Sequence, residues 1–208
     1  MDRIKLAPAV FDKNALTYQE KFMDTSTYHD GFDLALSKLS PNAEILDVAC
    51  GPGNISAYLL GKRPDLNILG IDLSTVMLEL AEQNCPSAKF QLMDIREIRK
   101  LNKVFDAVIC GFGFPYLSKE EAVQFITDAA TILNDTGVLY LSTMEDDYNN
   151  SGIQTASSGD KVFMYYHEAG YLTEALKANK LQLIETYRKH YEYNGKPTTD
   201  LVLIATKS

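Results

Sequence analysis

The stretch Glu44-Ile-Leu-Asp-Val-Ala-Cys-Gly-Pro-Gly-Asn-Ile55 decides how this chain reads. A short apolar run over 44–49 enters a turn with Gly51 and Gly53, and a helix is expected over Ile55–Leu60. Strand, Gly-rich turn and helix in that order mark an open α/β sheet, where ligands bind beyond the carboxyl ends of the strands. Glycine lacks Cβ, so Gly51 and Gly53 allow positive φ and let a ligand approach the backbone. The first turn of the following helix aims unpaired N–H groups at that ligand.

The same alternation runs downstream. Asn67–Asp72, Lys89–Met93, Val104–Cys110 and Val138–Thr143 read as further β runs. The 104–110 run is apolar on both faces, as a central parallel strand requires. Ser74 is placed to cap a helix through Gln83. Ser118 with Glu121 forms a capping box before a helix over Glu120–Leu133, ended by Asn134-Asp-Thr-Gly137. Residues 145–160 are polar and read as a long loop. A helix follows over Ala169–Ala178, then two β runs, Leu181–Tyr193 and Thr199–Thr206, joined at Asn194-Gly195-Lys-Pro197 as a hairpin. Upstream, residues 1–12 read as a tail and Lys13–Leu39 as two short helices, broken by Ser40-Pro-Asn-Ala43. The whole predicts one α/β domain over 1–208, with a helical cap at 11–39 and an α/β core at 44–207.

Composition narrows the class. A chain of 208 residues, 46% of them apolar, fits one domain with a sizeable core. It holds no apolar run of membrane-span length and no signal-peptide pattern at its start, so a cytoplasmic protein without membrane contact is expected. Lys and Arg total 20 against 28 Asp and Glu, a net charge of −8. That balance argues against nucleic acid as partner, since phosphate neutralisation needs a basic surface. Cys50, Cys85 and Cys110 make no disulfide framework, and His29, His167 and His190 are scattered, so no metal site is expected.

Asp72 closes the second β run, 19 residues after Gly53. An acid at that interval meets a ribose in dinucleotide folds. A full dinucleotide fingerprint needs a third glycine, where Ser56 stands here. Asp47, at the first strand's end, would repel a pyrophosphate and favour a cationic ligand. The charges therefore prefer a sulfonium nucleotide to NAD, with an NAD(P)-dependent oxidoreductase on a related sheet as the rival.

Taken together, these segments resemble the class I S-adenosylmethionine-dependent methyltransferases. Asp47-Val-Ala-Cys-Gly51-Pro-Gly53 is similar to that family's acidic-x-Gly-x-Gly-x-Gly motif, with Ala49 in place of the first glycine. Asp72 matches its ribose-binding acid. Met93-Asp94-Ile95 resembles the segment that meets adenine. Phe105–Phe112 resembles the fourth strand, whose end lies beneath the reacting methyl. Phe11–Tyr18 resembles the family's N-terminal helix, whose tyrosine touches the cofactor. The resemblance covers roughly 11–207. It implies a Rossmann-like, mostly parallel seven-stranded sheet with a C-terminal antiparallel hairpin and an N-terminal helical lid. It implies S-adenosylmethionine as cofactor and S-adenosylhomocysteine as product. The cofactor-binding residues it implies are Tyr18, Asp47, Ala49, Gly51, Gly53, Asp72, Leu73, Met77, Asp94, Ile95, Cys110 and Gly111. Ser74 and Met77 also read as cap and core, and Asp94 as the cap of a short helix.

Methyl transfer from a sulfonium is an in-line displacement, so positioning supplies most of the catalysis. A base is needed only for a nucleophile that holds its proton at neutral pH. His167 and Tyr116 are the candidate catalytic residues, although His167 reads first as a strand-end histidine with a structural hydrogen bond. Phe112, Phe114, Tyr116, Tyr148, Tyr165 and Tyr166 are candidates to line a pocket. Gly113-Phe-Pro-Tyr116 lacks the polar residue and first proline of the Asn/Asp-Pro-Pro-Tyr motif of nucleic-acid amino methylation. A small-molecule acceptor is expected, with the N-terminal helices and the 145–160 stretch forming a lid. A non-catalytic S-adenosylmethionine-binding protein fits the same motifs. Neither acceptor atom nor oligomeric state is encoded in them.

Overall fold

A computed structural model of the chain describes residues 7–155, 159–193 and 195–207. The first five strands are β1 (Glu44–Val48), β2 (Asn67–Asp72), β3 (Lys89–Leu92), β4 (Phe105–Gly111) and β5 (Leu133–Met144). They are mutually parallel in the order β3-β2-β1-β4-β5. The sheet continues through β9 (Lys196–Lys207), antiparallel to β5, to β8 (Leu181–Tyr193), antiparallel to β9. Seven strands in the order β3-β2-β1-β4-β5-β9-β8 match the expected sheet. The antiparallel closing pair sets it apart from the dinucleotide order 3-2-1-4-5-6.

Helices cover both faces. Phe125, Ile126 and Ala129 of α5 (Lys119–Ile132) and Leu172 and Leu176 of α6 (Ala169–Ala178) pack with Leu139, Leu141 and Leu203. On the other face, Phe32 and Leu36 of α2 (His29–Leu36) and Ile55 and Leu59 of α3 (Asn54–Lys62) pack with Ile45, Ile109, Tyr140 and Val202. Ile45 and Leu46 point to opposite faces, yet both are buried. That burial explains why adjacent residues of β1 are both apolar. Ser74 caps α4 (Thr75–Asn84) by accepting from Met77 N, and the Ser118–Glu121 capping box introduces α5, both as expected.

Three boundaries differ from the sequence reading. Helix α1 runs Ala7–Phe22, so residues 7–12 of the expected tail are helical. Its inner stripe, Phe11-Ala15-Tyr18, packs against Met77 and Leu80 of α4 rather than against the sheet. That stripe is short and has a helix as partner, so it does not stand out as a core face. Next, Leu133 already pairs with Phe105, and residues 134–137 bulge out before Val138 pairs with Ala107. Thirdly, the polar 145–160 stretch contains a strand. Gly152–Thr155 (β6) pairs antiparallel with Lys161–Met164 (β7), while 156–158 lie outside the described residues. Asn194 of the predicted hairpin turn also lies outside them.

Candidate active site

The carboxyl ends of β1, β2 and β4 converge on the Gly-rich turn. Three residues there adopt left-handed backbone: Ala49 at φ 53°, Gly51 at 53° and Gly53 at 79°. Gly53 has a second constraint, since a Cβ would lie 3.2 Å from Ala81 Cβ. Ala49 carries a side chain where the backbone favours glycine, at a cost of about 1 kcal/mol. The departure from the glycine motif is thus felt in the backbone itself. The turn is held by Cys50 N donating to Ile71 O and Gly53 N donating to Cys50 O, each at 3.0 Å.

Two carboxylates organise this turn from different sides. Asp72 Oδ2 accepts from Gly51 N and its Oδ1 from Ser74 N, both at 2.9 Å. Asp47 is wholly buried beneath the turn and accepts from Ser56 Oγ at 2.6 Å. Among the described residues its Oδ1 has no hydrogen-bond partner. Burial, opposed by the Ser56 bonds and reinforced by Asp72, pushes the Asp47 carboxyl up to about 7. Burial likewise raises Asp72, with backbone N–H donors opposing. Among the described residues, neither carboxylate is neutralised by a lysine, arginine or histidine. The floor of the site is therefore two carboxyl groups without a cationic partner, with glycine backbone above them.

Helix α1 lies across this floor. The Tyr18 ring would be 3.8 Å from a Cβ on Gly51. Phe11 makes edge contacts with both Tyr18 (5.7 Å) and Tyr116 (5.4 Å). Burial, with the Asp72 charge added, pushes the Tyr18 phenol up to about 12, and burial also raises Tyr116, with Tyr18 and Asp72 contributing. Asp12 accepts from Ser74 Oγ at 2.5 Å, and Phe22 O accepts from Asn54 Nδ2 at 2.9 Å. Between these ties, Asp160 accepts from Lys13 Nζ at 2.7 Å and Asn14 Nδ2 at 2.9 Å, linking α1 to the β6–β7 hairpin. These bonds join the two elements expected to form a lid.

The remaining expected residues fall into distinct places. Ile95, Ala49 and Cys110 meet around Gly113, where a Cβ would lie 2.9 Å from Cys110 Sγ and 3.2 Å from both Ala49 Cβ and Ile95 Cδ1. A Cβ on Gly111 would strike Ile55 Cδ1 at 2.2 Å. Leu73 is half-buried against the main core. Met77 is buried in the α1–α4 seam, so it reads as packing. Asp94 caps the 3-10 turn over Ile95–Leu101 by accepting from Arg96 N, and pairs with the Arg96 guanidinium at 2.6 Å. Arg96 in turn pairs with Glu121 at 3.1 Å.

His167 requires a correction as a catalytic candidate. It is fully buried, its Nε2 lies 2.8 Å from Phe114 O, and its Nδ1 bonds the Tyr171 hydroxyl. Burial lowers it to about 4. Both ring nitrogens are engaged and no face is open, so it ties the 114–116 turn to α6 instead. The aromatic candidates also disperse. Phe114 is core against Phe125, Tyr148 stacks on Tyr165, and Phe112 meets Tyr28. Tyr116 stays at the floor. Sequence reading missed Asp12, Phe11, Tyr28 and Asp200, whose partners lie far along the chain.

Comparison with known proteins follows the same lines. Residues 45–137 match a methyltransferase domain family. The malonyl-[acyl-carrier protein] O-methyltransferase of Acetivibrio thermocellus is 32% identical over 148 residues, 67% of this chain and 49% of that protein. The demethylmenaquinone methyltransferase of Thermotoga maritima is 35% identical over 80 residues, 38% of this chain and 35% of that protein. The chain spans about a third to a half of the length of the curated relatives it matches. In fold it is similar to the magnesium protoporphyrin IX methyltransferase of Synechocystis, solved with bound S-adenosylmethionine. That likeness has a TM-score of 0.74 at 17% identity, over 100% of this chain and 98% of that one.

Proposed function

We propose that this chain, which belongs to the class I S-adenosylmethionine-dependent methyltransferase family, transfers a methyl group to a small-molecule acceptor. The observation that carries this reading is the pair of buried, un-neutralised carboxylates, Asp47 and Asp72, at the glycine turn. A pyrophosphate would be repelled by Asp72 and would hold Asp47 in its protonated form, whereas the sulfonium and ammonium groups of S-adenosylmethionine are complementary to Asp72 and favour ionised Asp47. The unpartnered Asp47 Oδ1 and the glycine backbone fit such a ligand. The antiparallel closing hairpin also disfavours the oxidoreductase alternative.

When bound, the cofactor supplies an activated methyl on sulfur. The chain's own work is to bind, orient and exclude water. Asp72 keeps lone pairs for ribose hydroxyls after accepting from two backbone N–H groups. Gly51 and Gly53 offer backbone without side-chain obstruction, over the floor formed by Asp47 and Ala49. Asp94, oriented by Arg96, and Ile95 would meet the adenine end, and Cys110 and Gly111 would lie beneath the reacting group. Tyr18 on α1 covers the turn, and Tyr116 closes the acceptor side. The net charge of −8 supports a small molecule over a nucleic acid.

The test is turnover. Incubation with methyl-labelled S-adenosylmethionine and a fractionated metabolite extract should release S-adenosylhomocysteine in proportion to label on a small molecule. Tight cofactor binding with no transfer to any fraction would favour a non-catalytic binding protein.

A further inference from the structure

A further buried carboxylate lies at the carboxyl end of β5. Asp200, at the start of the part of β9 that pairs with β5, is 1% exposed and sits opposite Met144. Its Oδ2 accepts from Tyr28 Oη at 2.6 Å and its Oδ1 from Tyr191 Oη at 3.1 Å. Lys189, its cross-strand neighbour, directs its ammonium to Asp30 at 3.8 Å. Among the described residues no cation pairs with Asp200, and burial raises its carboxyl. Leaving a carboxylate un-neutralised in low dielectric is unfavourable, and such groups mark functional sites.

The surroundings say what it would take. The Tyr28 ring lies 5.3 Å from that of Phe112, directly after the carboxyl end of β4. Phe112 holds φ 57°, a strained value for a bulky residue, fixed by its N–H donating to Ser142 O and Oγ at 3.2 and 3.1 Å. Tyr28 is half-buried and Tyr191 is exposed, so a ligand would meet tyrosine faces and hydroxyl lone pairs, with the carboxylate behind them. Aromatic faces backed by a negative charge select a cation that donates hydrogen bonds. A carboxylate acceptor would be repelled.

We propose that Tyr28, Phe112 and Tyr191, with Asp200 positioned behind them, bind the protonated amine of an amine-bearing methyl acceptor. This rests on the methyltransferase reading above. Tyr28 contacts the amine, and Asp200 acts through Tyr28 as a positioning residue.

The experiment titrates benzylamine, cyclohexylamine and benzoate into protein saturated with S-adenosylhomocysteine, using the wild type, Asp200→Asn and Tyr28→Phe. Both amines should bind the wild type and benzoate should not. Amine affinity should fall at least ten-fold in Asp200→Asn and several-fold in Tyr28→Phe, with S-adenosylhomocysteine affinity unchanged in both. If Asp200→Asn does not fold, Tyr28→Phe, which keeps the ring on Phe112, gives the same reading. The proposal is overturned if neither amine binds, if benzoate binds as tightly as the amines, or if both variants bind amines like the wild type. Failure of the wild type to bind S-adenosylhomocysteine overturns the methyltransferase reading first, and this proposal with it.

Discussion

The Asp72 carboxylate accepts a hydrogen bond from Gly51 N at 2.9 Å, which ties the end of β2 to the turn leaving β1. The same side chain accepts from Ser74 N, so one residue fixes both the turn and the start of α4. Asp72→Asn keeps the shape but swaps one acceptor oxygen for a donor facing a backbone N–H. S-adenosylhomocysteine affinity should fall at least ten-fold, about 1.4 kcal/mol or more. Calorimetry on the variant checks this, and unchanged affinity would remove Asp72 from the site.

Ala49 occupies left-handed backbone at φ 53°, so Ala49→Gly should relieve strain. The gain is offset in part by the freer unfolded chain. Urea unfolding should show the variant equal to or up to about 1 kcal/mol more stable than wild type. Cofactor affinity should be retained. A clear loss of stability would show that the Ala49 methyl contributes packing that outweighs the strain.

Asp47 gives ligand-free stability a defined pH dependence. Its folded pKa, about 7, lies above its ordinary value, so the native state holds a proton that the unfolded chain has released. The contribution is fully present only below the ordinary value of 3.8 and is lost as pH rises through about 7. Asp72 and Asp200, also raised, act with the same sign. His167, lowered to about 4, acts oppositely below its ordinary pKa. Relative to Asp47→Asn, the wild type should lose on the order of a few kcal/mol between pH 5 and pH 8. Urea titrations of both proteins at the two pH values read this directly, and a pH-independent difference would contradict it.

His167 should matter for folding rather than for proton transfer. His167→Ala leaves Phe114 O and the Tyr171 hydroxyl without their partner, at a cost of about 1–3 kcal/mol. Turnover per folded molecule should change less than ten-fold, and the rate profile should show no inflection near pH 6.5 that the variant abolishes. A hundred-fold loss of kcat in a stably folded variant would restore His167 as a catalytic group.

Much of the fold is legible because local signals agree. The β1 run, the Ser74 cap and the Ser118–Glu121 box each name their own element. The Gly turn and Asp72 are legible for the same reason, since their chemistry depends on short spacing. What sequence reading missed depends on distant partners. Phe11-Ala15-Tyr18 becomes a buried stripe only when α4 packs on it. Asp200 gains its meaning from Tyr28, 172 positions away, and Asp160 from Asn14, 146 positions away. The polar composition of 145–160 concealed β6, a strand stabilised by hairpin pairing at the edge of the molecule rather than by a core. His167 looked reactive because intrinsic pKa is a property of the side chain, whereas its burial is a property of the fold.

The glycine turn, with Asp47 and Asp72 beside it, should hold a cationic nucleoside. Isothermal titration of the wild-type protein with S-adenosylmethionine, S-adenosylhomocysteine and NADH at one pH and salt concentration tests it most directly. The first two ligands should bind saturably and one-to-one, and NADH should give no measurable heat. Tight NADH binding with no response to either sulfur nucleoside would contradict it.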